Sequence, residues 1–440
     1  MAALAISLAT ALALAPTTLA SFSAPVRVGF AGGDDWEPAT AADAYGHVYV
    51  VWSHYVGFEG SGSGDPDPTC PTCASPHTML QVSADGGATF GVPRALVPSL
   101  SRQDDPQVVI DPADGRTVYA AFMQDNKSSE YVAKSTDFGQ TWDAVLTENL
   151  KRGTDKDILA ARDGNVYLLY HTTEKIFVSV SHDGGAHWSL SNPLKSTTNS
   201  TFGVSYASGG AVAPDGTVYF ALNGVTRPGQ AKGTVNLYVI RSADGGATWS
   251  TSPVATSSVA PDCNCAGYAY WSAQMALDVD DAGVVYVLWN ANSSRRAPQR
   301  VYFSRSTNGG QTWSAKASVS TAATGIDHVF PALVAGAGGD VRIGWMDDRN
   351  GPDSGSSPDA RWNTWYRSSA NGGTTWSAET QVSAYVAGYG YKLNTPDDGY
   401  LQPYGDYFEM AINNAGDTVA AWGEGFSYTG PGNIWFARQP

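Results

Sequence analysis

The chain consists of short runs of alternating or clustered apolar residues, and each run is bounded by Gly, Asp, Asn or Ser. Runs of four to eight residues rich in β-branched and aromatic side chains predict strands, because successive side chains of an extended backbone point to opposite faces. Helical apolar periodicity is almost absent. The pattern therefore predicts an all-β fold.

Seven similar strands carry the most regular apolar pattern. They read HVYVVW, TVYAAF, NVYLLY, TVYFAL, VVYVLW, DVRIGW and TVAAW. Each follows a Gly or Asp turn and an opening strand with a polar start and an apolar body, which predicts a hairpin. The seven predicted opening strands are 37–43, 105–111, 157–162, 205–213, 272–279, 330–335 and 404–412.

A box of the form SxDxGxTW occurs six times, always between two short strand-like runs. The copies begin at Ser83, Ser135, Ser181, Ser242, Ser306 and Ser369. Ser and Asp can hydrogen-bond turn amides, and Gly takes a backbone conformation that other residues avoid. Asn308 and Asn371 replace the Asp in two copies, so the box needs a hydrogen-bond acceptor and not a carboxylate base.

The spacing of the boxes predicts the architecture. The copies lie about 57 residues apart, and a period near 50 with four short strands per unit is typical of a β-propeller. Seven units fit the length after residue 20, whereas the six-bladed alternative leaves a surplus. Because the seventh unit ends after NIWFAR, we expect PVRVGF at 25–30 to complete the last blade and remove its exposed edge.

Residues 1–20 are apolar and small, and we interpret them as a secretory signal peptide, with a membrane anchor as the alternative. Residues 21–440 then form one propeller domain, which we expect to be secreted, monomeric and without a membrane span. The formal charge of −15 disfavours nucleic acid as a partner. CPTC and CNC supply Cys70, Cys73, Cys263 and Cys265; two disulfides are expected, and a zinc site is the alternative. No cofactor or metal is expected at the functional site.

The long loops predict which face carries function. If the opening strand is innermost, the boxes lie on one face, and the opposite face collects the long loops and the starts of the opening strands. Glycosidic cleavage needs a proton donor near a carboxylate or phenolate. The candidate catalytic residues on this face are Asp35, Asp105, Asp406, Tyr404 and His328. The alternative is that these groups only cap strands.

Cations and aromatic residues of the same loops are candidates for substrate binding. Guanidinium groups bind carboxylates and sulfates through two hydrogen bonds, and a histidine can act as a base. The candidates are Arg102, Arg152, Arg349, His54, His171 and Trp271. Solvated loop charge is the alternative for the arginines.

The six boxes resemble the Asp boxes, or bacterial neuraminidase repeats, of sialidase-like propellers, and the resemblance extends over nearly the whole chain after residue 20. It implies carbohydrate as the partner. For sialidases it implies three arginines, the first in an early FRIP segment, an Asp acid/base, and a Tyr nucleophile with a Glu partner. The early segment here is VRVG with Arg27. Seven-bladed relatives include glycoside hydrolases and lyases of uronic acid polysaccharides.

The leading expectation is a secreted, exo-acting glycoside hydrolase of sialidase-like type that acts on acidic sugars of glycans or polysaccharides. Ring carboxylates would act as acid and base, and loop arginines would hold the substrate carboxylate. A polysaccharide lyase for uronic acid polymers and a non-catalytic glycan-binding propeller are the two alternatives.

Overall fold

The computed structural model describes thirteen segments of the chain. They are residues 21–29, 35–55, 72–100, 102–150, 153–172, 175–194, 204–227, 232–258, 273–294, 297–350, 362–383, 408–425 and 432–440. The described residues form strands and turns and contain no helix, hence no helix that could cross a bilayer. The predicted signal peptide lies outside these segments.

Seven antiparallel four-stranded sheets make up the fold, and we number them as blades 1 to 7. Blade 1 contains β2 (Asp35–Ala42), β3 (Val48–His54), β4 (His77–Ser83) and β5 (Arg94–Ala95). Blade 2 contains β6 (Gln103–Ile110), β7 (Val118–Gln124), β8 (Ser129–Ser135) and β9 (Asp143–Asn149). Blade 3 contains β10 (Asp155–Arg162), β11 (Asn165–His171), β12 (Ile176–Ser181) and β13 (Ser189–Ser191).

The remaining blades follow the same order along the chain. Blade 4 contains β14 (Val204–Val212), β15 (Val218–Arg227), β16 (Lys232–Ser242) and β17 (Ser250–Ser258). Blade 5 contains β18 (Met275–Val279), β19 (Val285–Ala291), β20 (Arg300–Ser306) and β21 (Ala317–Ser318). Blade 6 contains β22 (His328–Ala335), β23 (Val341–Asp347), β24 (Asn363–Ser369) and β25 (Thr380–Gln381). Blade 7 contains β26 (Phe408–Ile412), β27 (Thr418–Gly425), β28 (Gly432–Gln439) and β1 (Val26–Val28).

Each innermost strand packs against the innermost strand of the next blade, and β26 packs against β2, so the ring closes. The seven-bladed propeller predicted from the box spacing is confirmed. Apolar side chains of adjacent blades fill the space between them, and a fully buried tryptophan marks four of the second strands. These are Trp52, Trp289, Trp345 and Trp422.

The N-terminal strand closes the ring as predicted. Strand β1 pairs with β28, with Val26 opposite Phe436 and Val28 opposite Ile434. Val28 is 1% exposed and packs in a core cluster between blades 7 and 1, whereas Val26 is 48% exposed. The outer edge of blade 7 is therefore paired by residues that are distant in sequence.

The boxes form the predicted hydrogen-bonded turns. The Ser83 hydroxyl accepts a hydrogen bond from Gly87 N at 2.8 Å and donates to Asp85 at 2.7 Å. Thr89 donates from both its amide and its hydroxyl to the Asp85 carboxylate. Asn308 Oδ1 accepts the corresponding bonds from the Ser306 hydroxyl and the Thr312 amide, while its Nδ2 donates to the Thr312 hydroxyl at 2.9 Å, so the turn forms without a charge on this side chain.

The box also joins adjacent blades, a role that the sequence did not suggest. A Cβ on Gly139 would lie 3.1 Å from the Tyr49 ring of blade 1, so the box of blade 2 packs directly on that ring. Trp249 donates from Nε1 to Ser191 of blade 3 at 2.9 Å. The terminal aromatic of the box therefore contacts the preceding blade as well as its own turn.

The boxes lie on the same face as the turns between the first and second strands. Gly86 N donates to Gly46 O at 2.7 Å, and Gly184 N donates to Gly164 O at 2.8 Å. The starts of the innermost strands therefore lie at the opposite face, as the sequence predicted.

The innermost strands of blades 1, 2, 3 and 6 begin two residues earlier than predicted. A β-bulge explains the difference, because two residues there lie opposite one residue of the second strand. The first residue of each bulge has a positive φ: 57° at Glu37, 49° at Asp105, 59° at Lys156 and 50° at Phe330.

Cys73 is disulfide-bonded, and no cysteine of the described residues is free. The disulfide interpretation therefore holds for Cys73. The other three cysteines, Cys70, Cys263 and Cys265, lie outside the described residues.

Candidate functional site

A group of charged side chains lies where blades 2 and 3 meet on the loop-rich face. We call it the blade 2–3 cluster, and it consists of Asp104, Asp105, Lys127, Glu130, Asp155 and Asp157. The bulges of β6 and β10 bring its aspartates together, because a bulge redirects side chains at the start of a strand. The cluster thus contains five carboxyl groups and one lysine, and Lys127 interacts with Asp104, Asp105 and Asp155 among them.

Lys127 joins the two blades. Its Nζ lies 3.0 Å from Asp155 Oδ1 and 3.5 Å from Asp105 Oδ2. Burial lowers the pKa of Lys127, but Asp105 and Asp155 outweigh burial and hold that pKa well above its usual value. The ammonium group is therefore charged throughout the physiological range and keeps both neighbouring carboxylates in place.

Asp104 and Asp105 are adjacent in sequence and have pKa values that move in opposite directions. Burial raises the pKa of Asp104 to about 6, although Lys127 opposes the shift. Burial also disfavours ionisation of Asp105, but Lys127 and Lys156 lower its pKa far below the usual range. One carboxyl therefore retains a proton at mildly acidic pH while its neighbour is ionised, and both are buried, with Asp104 2% and Asp105 1% exposed. Carboxyls with pKa values driven apart by their surroundings are typical of acid–base pairs.

Glu130 and Asp157 form a buried carboxyl pair beneath Asp105. Both side chains are fully buried, and the two carboxyl groups interact with each other electrostatically. Burial raises the pKa of Glu130 to about 7, and burial with the neighbouring Glu130 raises the pKa of Asp157 well above its usual value. Two carboxyls in contact cannot both ionise easily, so the pair shares a proton.

The candidates Asp35 and His54 of blade 1 contact each other rather than open solvent. Asp35 Oδ1 lies 2.7 Å from His54 Nδ1 and accepts a hydrogen bond from Trp52 Nε1 at 2.8 Å. Both Asp35 and His54 are 0% exposed. Glu37, from the bulge of the same strand, accepts a hydrogen bond from Ser53 and also interacts with Asp105. Blade 1 therefore reaches the cluster through Glu37.

The candidate His328 lies in blade 6 and is buried. Its Nδ1 lies 2.9 Å from the Gln299 carbonyl and 3.0 Å from the Ile326 carbonyl, which places the proton on Nδ1. Its Nε2 lies 2.8 Å from the Ser320 hydroxyl. Burial lowers the pKa of His328, so the ring is neutral near pH 7.

The candidate Arg349 binds residues of its own blade and Ser320, which follows the last strand of blade 5. The guanidinium group pairs with Asp347 at 2.6 Å and with Glu379 at 2.5 Å, and it stacks 3.8 Å above the Trp365 ring. These contacts occupy both edges and one face of the guanidinium group. They hold Arg349 within blade 6, and its 3.2 Å hydrogen bond to the Ser320 hydroxyl connects it with the end of blade 5.

The remaining candidates divide between the cluster and undescribed segments. Arg102 is 46% exposed and lies 3.9 Å from Asp104, and His171 lies opposite Asp155 in the β10–β11 pairing. Four candidates lie outside the described residues: Arg152, Trp271, Tyr404 and Asp406. The arginines of the described loop-rich face lie on different blades, with Arg102 on blade 2 and Arg349 on blade 6.

The structure groups the sequence-predicted Asp105 with Asp104, Lys127, Asp155 and Asp157, and it adds Glu130. Glu130 had no sequence signal, because it lies at the start of a third strand among alternating residues. Among the described residues, no three His, Cys, Asp or Glu side chains are arranged to hold a metal ion.

A family model for the BNR repeat-like domain matches residues 35–287, which is more than half of the chain. The chain belongs to this family. The match confirms the resemblance drawn from the six boxes, and this BNR chain has the sialidase-like propeller fold. None of the curated proteins matches the chain by sequence.

Several solved structures are similar to this chain. One is a protein of unknown function from Dyadobacter fermentans, with 15% sequence identity and a TM-score of 0.51; the match covers 96% of this chain and 99% of that protein. An ulvan lyase of polysaccharide lyase family PL25 has 10% identity, a TM-score of 0.51 and coverage of 93% and 95%; it was also solved bound to -[GlcA(1-4)Rha3S]-. The intramolecular trans-sialidase from Ruminococcus gnavus has 13% identity, a TM-score of 0.46 and coverage of 94% and 96%.

Proposed function

We propose that this protein is a secreted, exo-acting glycoside hydrolase that acts on acidic sugars of glycans or polysaccharides. The observation that carries the proposal is the pair of adjacent carboxyls with opposite pKa shifts, Asp104 and Asp105, on the loop-rich face. The fold alone does not select an activity, because one scaffold supports many chemistries.

The two carboxyls would divide the work of glycosidic hydrolysis. Asp104 donates its proton to the glycosidic oxygen as the bond to the anomeric carbon breaks, and the ionised Asp105 stabilises the positive charge that develops there. A water molecule then adds to the anomeric carbon and gives a proton back to Asp104. Lys127 and Lys156 hold Asp105 ionised. The side chain of Lys127 is 38% exposed, so it can also attract the carboxylate of an acidic substrate.

Product analysis tests this proposal. The purified protein is incubated with glycans that end in sialic or uronic acid and with uronic acid polysaccharides, and released sugars are identified by chromatography. A saturated terminal acidic sugar is expected. Glycan binding without any product would overturn the proposal in favour of a binding propeller.

A lyase is the second candidate, and His171 favours it. Its Nδ1 lies 3.2 Å from the Thr172 carbonyl, and burial lowers its pKa, so its neutral form can accept a proton beside Asp155. An unsaturated product that absorbs in the ultraviolet would support the lyase, because elimination leaves a double bond in the uronate ring and hydrolysis does not.

A further inference from the structure

The box of blade 2 departs from the other five boxes at its fourth residue. This residue is Gly in five copies and Phe138 in blade 2. All six take a left-handed backbone conformation, with φ of 62° at Phe138 and between 66° and 73° at the glycines. An aromatic residue in this conformation costs free energy that Gly does not, so the turn alone does not account for Phe138.

Tyr45 is a second departure from the repeat, in the turn between the first two strands of blade 1. The Asp43 carboxylate accepts a hydrogen bond from Tyr45 N at 2.8 Å and fixes the turn. Blade 5 builds the same turn with Ala282 and blade 7 with Ala415, whose amides bond to the corresponding Asp and Asn side chains at 3.0 Å. The turn therefore needs no aromatic side chain, and Tyr45 is 57% exposed.

Phe138 and Tyr45 contact each other on the box face. The Phe138 ring meets the Tyr45 ring edge-on, with centroids 5.5 Å apart, and it stacks on His47 at 4.3 Å. The Arg116 guanidinium lies 4.7 Å from the centroid of the same ring. His47 is itself held by Asp43, whose carboxylate lies 2.8 Å from its Nδ1. Phe138 therefore positions Tyr45 and Arg116 beside each other, and we call these three residues the box-face patch.

Polar groups surround the exposed ring of the box-face patch. Arg116 is exposed, and its guanidinium group forms no ion pair or hydrogen bond with the described residues. Asn414 of blade 7 adds an exposed amide, because a Cβ on Gly46 would lie 3.6 Å from its Nδ2. The exposed Asp114 interacts electrostatically with Arg116. The surroundings of Tyr45 thus offer both donors and acceptors, without an excess of positive charge that would select an anion.

The chemistry of the box-face patch fits a sugar ring. One face of a pyranose presents C–H groups that pack on an aromatic ring, and its edge presents hydroxyls that need donors and acceptors. A protein partner would need a contiguous apolar surface, whereas Tyr45 is the one aromatic side chain among the exposed large hydrophobic residues of the described segments. The formal charge of −15 disfavours nucleic acid.

We propose that the box-face patch binds a sugar unit within a polysaccharide chain, with the sugar ring on Tyr45 and its hydroxyls on Arg116 and Asn414. The boxes lie on the face opposite the starts of the innermost strands, so the patch is separate from the blade 2–3 cluster. An open surface accepts an internal unit of a polymer as readily as a terminal one. The proposal therefore goes beyond the proposed hydrolase and does not depend on it.

Affinity electrophoresis tests the patch independently of turnover. The full chain is run in native gels that contain dextran, xylan, polygalacturonate or chondroitin sulfate, and its mobility is compared with that in a gel without polymer. The Asp104→Asn protein is used throughout, so that a substrate polymer stays intact. We expect at least one polymer to retard the protein.

Two substitutions that restore the pattern of the other blades test the residues of the patch. Tyr45→Ala reproduces the turn that Ala282 forms, and it should weaken the affinity for the polymer at least about tenfold. Phe138→Gly reproduces the other five boxes and should also weaken the affinity, because Tyr45 and Arg116 lose the ring between them. Leu190→Ala, which removes exposed apolar surface from the outer strand of blade 3, is the matched control and should leave retardation unchanged.

The outcomes separate the patch from the proposed hydrolase. No retardation by any of the polymers, or equal retardation of Tyr45→Ala and Leu190→Ala, would overturn the patch proposal even if Asp104 proves essential for hydrolysis. Loss of retardation in Tyr45→Ala, without any product from the wild-type protein, would support the patch and overturn the hydrolase.

Two further measurements exclude other roles for Tyr45. Tyr45→Ala should unfold at the wild-type temperature, because the turn forms with Ala282 and Ala415 in other blades; a lower Tm together with lost retardation would assign Tyr45 to packing and overturn the proposal. Sedimentation velocity should show the same species for wild type and Tyr45→Ala. A concentration-dependent dimer that Tyr45→Ala abolishes would assign the patch to a second copy of the chain and overturn the proposal as well.

Discussion

Lys127 Nζ lies 3.5 Å from Asp105 Oδ2. Asp105 lies in the bulge of β6 and Lys127 in the turn between β7 and β8, and both residues have a positive φ. The contact holds a buried carboxylate in its ionised form at the start of an innermost strand. Strained backbone and a buried ion pair in the same place are more typical of functional sites than of structural cores.

Removal of Lys127 should therefore shift the pH dependence of activity. In Lys127→Met, the pKa values of Asp105 and Asp104 both rise, because the nearest positive charge is lost. We expect the acidic limb of the kcat/KM profile to move to higher pH and activity at pH 5 to fall at least tenfold. Lys134→Met, on the box side of the same blade, should keep the wild-type profile. A superimposable profile for Lys127→Met would contradict this role.

The buried carboxyl pair predicts that the protein loses stability as pH rises. Burial raises the pKa of Glu130 to about 7 in the folded protein, above its ordinary value of about 4.3. The stabilisation is complete at low pH and is lost as the pH increases through 7. We expect Tm to fall between about pH 4.5 and pH 7, the interval between the pKa values of the unfolded and folded states, and to fall less in Glu130→Gln.

Glu409 contributes in the same direction, since burial raises its pKa to about 7. The Tm of the Glu130→Gln protein should therefore still fall as the pH rises, but by a smaller amount. Equal declines of Tm in wild type and Glu130→Gln, measured by calorimetry, would show that Glu130 does not hold a proton in the folded state.

The boxes should tolerate loss of charge but not loss of the serine. Asp85→Asn reproduces the arrangement that Asn308 already has, and we expect it to change the free energy of unfolding by less than about 0.5 kcal/mol. Ser83→Ala leaves Gly87 N buried without an acceptor and should cost about 1–3 kcal/mol. Urea denaturation of the two variants measures the difference; the reverse order would contradict the hydrogen-bond account.

Closure of the ring by β1 predicts unequal effects at two neighbouring valines. Val28→Asp places a charge in the core between blades 7 and 1 and should destabilise the protein by more than about 3 kcal/mol. Val26→Asp, at the exposed end of the same strand, should change stability by less than about 0.5 kcal/mol. Similar thermal unfolding of both variants would mean that β1 is dispensable for closure.

Most of the fold could be predicted from the sequence because the boxes repeat at regular spacing. The box spacing gave seven blades, and the missing box after Ser369 indicated the closing strand. The bulge at Glu37 and Asp105 could not be predicted, because a positive φ at an acidic residue leaves no clear local signal. Contacts of the box with the preceding blade could not be predicted either, because they form only when the blades pack together into a ring.

The candidate site could be predicted only in part. Asp105 was recognised because it begins an innermost strand, whereas Glu130 depends on how blade 2 packs against blade 3. Arg349 matched the expected chemistry of substrate binding, but Asp347 and Glu379 occupy its guanidinium group. Residue type and loop position do not reveal which charges are already paired, since pairing is a property of the packed blades.

Turnover by carboxyl variants tests the central claim most directly. Initial rates of acidic sugar release are measured for wild type, Asp104→Asn, Asp105→Asn and the control Asp85→Asn, each with its thermal unfolding curve. The account predicts that both cluster variants stay folded and lose at least about 100-fold in kcat, while Asp85→Asn retains wild-type activity. Folded Asp104→Asn and Asp105→Asn proteins with unchanged turnover would contradict the assignment of catalysis to the blade 2–3 cluster.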